Sequence, residues 1–288
     1  MLAACPGVAF LWEPFHRAHD PGRCAACFGH TFPYVTDRTG HKYEAQIRAM
    51  LAFRYALGAK LRSARSLRAL ASAGRGICLF WLHRMRGARP LLKDPRALFS
   101  AEWLAARFDT HVVVVIRHPA AFACSLRARG WTHPFDDFLR QPDLMTDHLA
   151  AYEREIRRFA ENEQDILDQA ALLWKLAHHM VSGYQARHPD WHFVRHEDLS
   201  REPVAGLRAL AEAVGLPFDT RAERVVRWHS APSDAQRIGW CDRCREVRRD
   251  SAANIGSWQS RLSPAEIQRV RARVGEIGEV FYAANDWR

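Results

Sequence analysis

The run His111-Val-Val-Val-Val-Ile116 constrains this chain more than any other segment. Its β-branched residues show no polar alternation, which describes a strand buried on both faces, as in a parallel sheet layered between helices. Shorter strand-like runs stand at Val8–Trp12, Leu91–Leu92 and Trp191–Arg195. Helical spacing links Leu149, Tyr152, Ile156 and Phe159, and again Ile166, Ala170, Leu173, Ala177 and Met180. Another helix runs from about Pro203 to Val214 and stops at Gly215-Leu216-Pro217. The last opens with Ser263-Pro264-Ala265-Glu266, a capping box with proline at N1, and its core stripe is Ile267, Val270, Val274, Ile277 and Phe281. Strands alternating with helices predict an α/β fold with a parallel sheet and helices on both faces.

The 288 residues suit one large α/β domain with insertions or two small domains; the single domain is the expectation, with a less regular stretch from about 20 to 75 reading as an insertion that binds the acceptor. That stretch contains a basic helix expected from about Glu44 to Leu70, striped by Arg62, Arg65 and Arg68; it is either a solvated face or a surface for acidic groups or membrane headgroups. The net charge is +10, yet the basic residues comprise four lysines and thirty-eight arginines, which fits the codon bias of a GC-rich bacterial genome. The surplus by itself therefore does not argue for nucleic acid and no such partner is expected, while a preference for anionic ligands stays open. No run of eighteen apolar residues exists, which excludes a transmembrane helix, and the N-terminus lacks the basic region of a secretory signal. Cytoplasm is the expected location.

Ligands of open parallel sheets bind beyond the carboxyl ends of the strands. Four polar residues fall at such ends: Glu13, Lys93, Arg117 and His196. Proline follows three of them within two residues, in Glu13-Pro14, Lys93-Asp94-Pro95 and Arg117-His118-Pro119. Proline ends the strand and can open a helix, leaving backbone N–H groups and a positive dipole end beside the polar side chain. After Arg117 this arrangement makes an anion site.

These segments resemble PAPS-dependent sulfotransferases, whose donor is 3′-phosphoadenosine 5′-phosphosulfate (PAPS). Arg117-His118-Pro119, with Ser125 eight residues after Arg117, looks like the family's 3′-phosphate motif. Arg195-His196-Glu197-Asp198-Leu199, followed by Pro203 and Gly215-Leu216-Pro217-Phe218, resembles its "YEDL…P…GLPFD" stretch. Arg249-Asp250-Ser251, with Trp258 and Leu262 downstream, resembles the loop that closes over the nucleotide. Trp12-Glu13-Pro14 and Lys93-Asp94-Pro95 resemble the "YEP" and "KDP" segments of carbohydrate-type and tyrosylprotein-type enzymes. The resemblance implies a three-layer, P-loop-NTPase-like sheet and sulfuryl transfer to a hydroxyl of a carbohydrate or other hydroxylated metabolite. It makes Glu13 the base and Lys93 its partner at the leaving phosphate. Arg117, Ser125, His196, Arg249 and Ser251 would bind the nucleotide. His196 replaces the family's tyrosine, and nothing here matches the Gly-rich loop that wraps the phosphosulfate. The first strand and that loop are therefore expected to be missing, with Met1 a misplaced start or the domain a relic that binds an anionic polymer or nucleotide.

Cys24-x-x-Cys27 and Cys241-x-x-Cys244 form two pairs that could hold a structural zinc if folding brings them together; unliganded thiols or a redox pair are the alternatives. Cys5, Cys78 and Cys124 read as small core residues.

Overall fold

The computed structural model describes residues 1–231 and 250–287. The chain divides into two compact units, one comprising Pro6–Thr110 and the other Met1–Cys5 with His111–Arg288.

In the Pro6–Thr110 unit, β1 (Val8–Trp12) is followed by α1 (Asp37–Leu51), α2 (Leu57–Ser63), α3 (Leu67–Met85), β2 (Arg89–Lys93) and α4 (Ala101–Phe108). The two strands pair in parallel, with Val8 opposite Arg89 and Trp12 opposite Lys93, so Glu13 and Lys93 leave the sheet at the same end. Ala9 and Leu11 point into a core shared with Phe15, Ile47, Met50, Phe80 and Trp103. The basic segment after Glu44 is three helices and not one. Phe53 adopts a left-handed backbone (φ 51°) that ends α1, and the Ser66 hydroxyl caps α3 by accepting the Ala69 N–H. Arg62 consequently sits on α2 and Arg65 in the following loop, apart from Arg68 on α3.

The second unit begins with β3 (Val113–Ile116) and α5 (Pro119–Arg127). Short turns α6 (Asp136–Leu139) and α7 (Pro142–Leu144) lead to α8 (Glu153–Glu161) and α9 (Ile166–Arg187). Then come β4 (His192–Arg195), α10 (His196–Arg201), α11 (Pro203–Ala213), α12 (Thr220–Ser230) and α13 (Pro264–Phe281). Strands β3 and β4 pair in parallel, with Ile116 opposite Arg195. Helix α9 is buried from Leu167 to Tyr184 and packs against α5 and α13. The predicted capping box is present: Ser263 and Glu266 each accept the other's backbone N–H. Helix α13 kinks at Gly275, whose φ of 53° suits glycine, so its buried line is Val270, Val274 and Gly278 while Ile277 and Phe281 are half-exposed.

The fold is thus mixed α/β, but the described strands form two separate two-stranded sheets. The expectation that the valine run is buried on both faces is corrected: Val114 and Ile116 are buried, whereas Val115 is 53% exposed. Strand side chains alternate between faces, and one face alone carries the packed core at that position.

Candidate active site

Two clusters of polar side chains sit at strand ends, one in each unit. The first is built on Glu13. Its N–H donates to the Lys93 carbonyl at 3.0 Å, extending the β1–β2 ladder by one step. Its carboxylate then meets two cations: Lys93 Nζ lies 2.5 Å from Oε1 and Arg96 Nη1 lies 3.2 Å from Oε2. Pro95 opens a 3₁₀ turn, Pro95–Ser100, that brings Arg96 back to the sheet end. Asp94 braces the turn by accepting N–H bonds from Phe15 (2.6 Å) and Arg96 (2.9 Å). Burial holds the Asp94 carboxyl above its usual range, against the lowering effect of those two donors. Lys93 Nζ also lies 4.7 Å from the centre of the Trp12 ring, which is 59% exposed. Arg96 and Trp12 are members of this cluster that the sequence reading did not single out as site residues. Their signal was present, since one is an arginine directly after Asp-Pro and the other precedes Glu13.

The second cluster surrounds the turn between β3 and α5. Parallel register places Arg117 and His196 next to each other, one residue past the paired Ile116 and Arg195. Burial, followed by the neighbouring Arg117 charge, holds the His196 imidazole below its ordinary pKa. The peptide joining Arg117 to His118 is gripped at both ends: Trp174 Nε1 donates to the Arg117 carbonyl at 2.8 Å, and the His118 N–H donates to Glu197 Oε1 at 2.9 Å. Glu197 is buried and accepts a second bond from the Tyr282 hydroxyl, at 2.9 Å. His118 is the N-cap of α5, where Nδ1 accepts the Ala120 N–H at 3.2 Å. Its ring stacks on Trp258 at 4.7 Å and meets Tyr282 and Trp287 edge-on. Burial pushes His118 down to about 4, so the ring is neutral.

Ser125 lies two turns along α5 and its hydroxyl accepts a bond from Arg129. Ser251 is anchored to the end of α12, its N–H donating to the Ser230 carbonyl at 3.2 Å. It is Trp258, further along the same segment, that reaches the Arg117–His118 turn. Arg249 lies outside the described residues, as do Cys241 and Cys244. Cys24 is a buried thiol pushed up to about 11 by that burial, and Cys27 is exposed. Cys78, expected in the core, is exposed on α3. Among the described residues no three metal-ligating side chains converge.

Polar side chains beyond strand ends, beside a turn that opens a helix, stand where α/β folds commonly bind ligands. The sequence matches the family model described as "Sulfotransferase family" over residues 1–220, and the chain belongs to that family. A solved structure titled "Sulfotransferase Domain from the Curacin Biosynthetic Pathway" is similar at 14% identity and a TM-score of 0.43, covering 93% of this chain and 97% of that one. No curated protein matches the sequence.

Proposed function

We propose that this protein transfers a sulfuryl group from PAPS to a hydroxyl of a carbohydrate or similar hydroxylated metabolite. The observation that carries the reading is the doubly gripped Arg117–His118 peptide, which fixes the backbone bearing Arg117 just before the N-terminus of a nine-residue helix. Such a turn suits a phosphate monoester: the guanidinium can bind it bidentately and the helix end favours negative charge. In this reading Arg117 and Ser125 bind the 3′-phosphate, Ser125 exchanging its bond from Arg129 for one to the ligand. His196 lies beside the base, and Arg249 and Ser251 close over the nucleotide.

PAPS, when bound, supplies the sulfuryl group and a bisphosphate leaving group. Glu13 accepts the proton of the acceptor hydroxyl at a carboxylate oxygen, while Lys93 and Arg96 orient it and Lys93 offers positive charge to the leaving phosphate. The exposed Trp12 face beside Lys93 suits the apolar face of a sugar ring, which favours a carbohydrate acceptor.

The test compares two nucleotides by calorimetry. 3′-Phosphoadenosine 5′-phosphate should bind more tightly than AMP by about ten- to a hundredfold, the range expected for charge-assisted bonds of roughly 1.5–3 kcal/mol. Arg117→Ala should erase most of that preference. Equal affinity for the two nucleotides in the unmodified chain would overturn the reading.

A further inference from the structure

Between Glu44 and Asp94 the chain runs for forty-nine residues without an aspartate or glutamate, while carrying eleven lysines and arginines. Three of these cations have carboxylate partners outside the segment: Arg48 on Glu44, Lys60 on Asp20 and Lys93 on Glu13. Arg54, Arg62, Arg65, Arg75, Arg84 and Arg86 are exposed and make no ion pair among the described residues. The proposed chemistry at Glu13 and Arg117 uses none of the six.

The same segment exposes apolar side chains in a pattern. Helix α3 buries Ala73, Gly76 and Phe80 along one side, and on another it presents Ile77, Trp81 and Met85 at four-residue spacing. Trp81 is 61% exposed and Met85 is 65% exposed. On α2, which packs against α3, Leu57 and Leu61 repeat the spacing and are exposed as well. Arginines flank both stripes: Arg62 follows Leu61, and Arg84 and Arg86 bracket Met85. No helix among the described residues is long and apolar enough to cross a membrane.

We propose that α2 and α3 form a peripheral docking surface for an anionic phospholipid membrane. Two features favour lipid over a protein partner. A protein interface is read in register, with both signs of charge placed against their complements, whereas this segment lacks acidic residues on every face. Uniform positive charge answers a diffuse surface potential, in which each nearby arginine adds roughly 1 kcal/mol regardless of register. The apolar stripe supplies the second contribution, with Trp81, Met85 and Leu61 entering the headgroup–acyl boundary beside the arginines. Neither contribution alone gives stable attachment, and the segment carries both.

The experiment is co-sedimentation of the full chain with vesicles of phosphatidylcholine alone or with one third phosphatidylglycerol. Binding should require the anionic lipid and fall as salt rises. The double variant Trp81→Ala/Met85→Ala should bind those vesicles about tenfold more weakly, since it removes apolar area buried in the membrane. Its affinity for heparin, a soluble polyanion, should be unchanged. Leu61→Ala, on the other helix, should weaken vesicle binding in the same direction, and all these positions are exposed, so folding is spared. Arg62→Glu/Arg84→Glu should abolish vesicle binding. Three results would each overturn the proposal: no binding to anionic vesicles, equal binding to neutral ones, or apolar variants that bind like the unmodified chain. A dimer that dissociates on Trp81→Ala, without vesicle binding, would instead assign the stripe to a second copy.

Discussion

Glu13 combines a strained backbone with a carboxylate held by two cations. Its φ of 38° lies in the left-handed region that non-glycine residues avoid, at a cost on the order of 1–3 kcal/mol. The strain follows from its bonds: its N–H still belongs to the sheet, through Lys93, while its carbonyl already accepts the His16 N–H in the next turn. One residue therefore makes the whole change of direction, and its side chain is delivered to Lys93 and Arg96. If Glu13 is the base, Glu13→Gln should lower turnover by roughly a hundredfold or more, the usual contribution of general-base catalysis. Affinity for 3′-phosphoadenosine 5′-phosphate should stay within about twofold, and the substitution conserves shape, so stability should move little. Steady-state kinetics and calorimetry on the one variant separate the two. Unaltered turnover would remove Glu13 from the chemistry. The strand-end position of Glu13 was legible in the sequence because it needs only a strand and a proline. The left-handed backbone was not, because it depends on a bond to Lys93, eighty residues away.

At the scale of elements, local signals survived folding and distant ones were invisible beforehand. The strand segments, the proline-opened α5 and the capping box of α13 all arise from neighbours a few residues apart, whereas the parallel pairing itself joins Val8 to Arg89 and Val113 to His192. The basic helix is interrupted twice, after Leu51 and before the Ser66 cap, and the first break turns on a backbone angle, at Phe53, that no periodicity reports. The grip on the Arg117–His118 peptide was equally unreadable, since Trp174 is 57 residues from Arg117 and Glu197 is 79 from His118. That grip carries a stability prediction. Glu197→Ala leaves the His118 N–H and the Tyr282 hydroxyl buried without an acceptor, at roughly 1–3 kcal/mol each. Chemical denaturation should therefore show a loss of about 2–5 kcal/mol. Glu197→Gln keeps an oxygen for the backbone N–H but offers the Tyr282 hydroxyl an amide donor in place of an acceptor, so it should recover about half of that loss. Equal destabilisation by both variants would mean that the carboxylate's charge, and not the bonding of the turn, is what the fold requires.

For the whole molecule, the unit containing β3 and β4 concentrates buried imidazoles, and this fixes how it responds to acid. His118 and His133 are pushed down to about 4 and His178 to about 3, in each case mainly by burial. Each ring sits among aromatic side chains, His178 stacking on Trp174 at 3.7 Å and His133 lying against Phe138 at 4.7 Å. A histidine whose folded pKa lies below its unfolded value of about 6.5 is held neutral by the fold, while the unfolded chain takes up the proton. Its contribution to stability is therefore complete above pH 6.5 and is lost as pH falls towards the folded value. Between pH 7 and 5 a single group of this kind forfeits about 2 kcal/mol, so the three together forfeit about 6. That loss rivals the whole stability of a modest domain, about 5–15 kcal/mol. Urea denaturation at pH 7, 6 and 5 should show the stability of this unit falling most steeply below pH 6.5, with about three protons taken up on unfolding at pH 5. His178→Phe keeps an aromatic ring of similar size but removes the titrating group, and should flatten the slope by about one proton. A pH-independent midpoint across that window would mean that these rings are already protonated in the folded chain, which their apolar surroundings oppose.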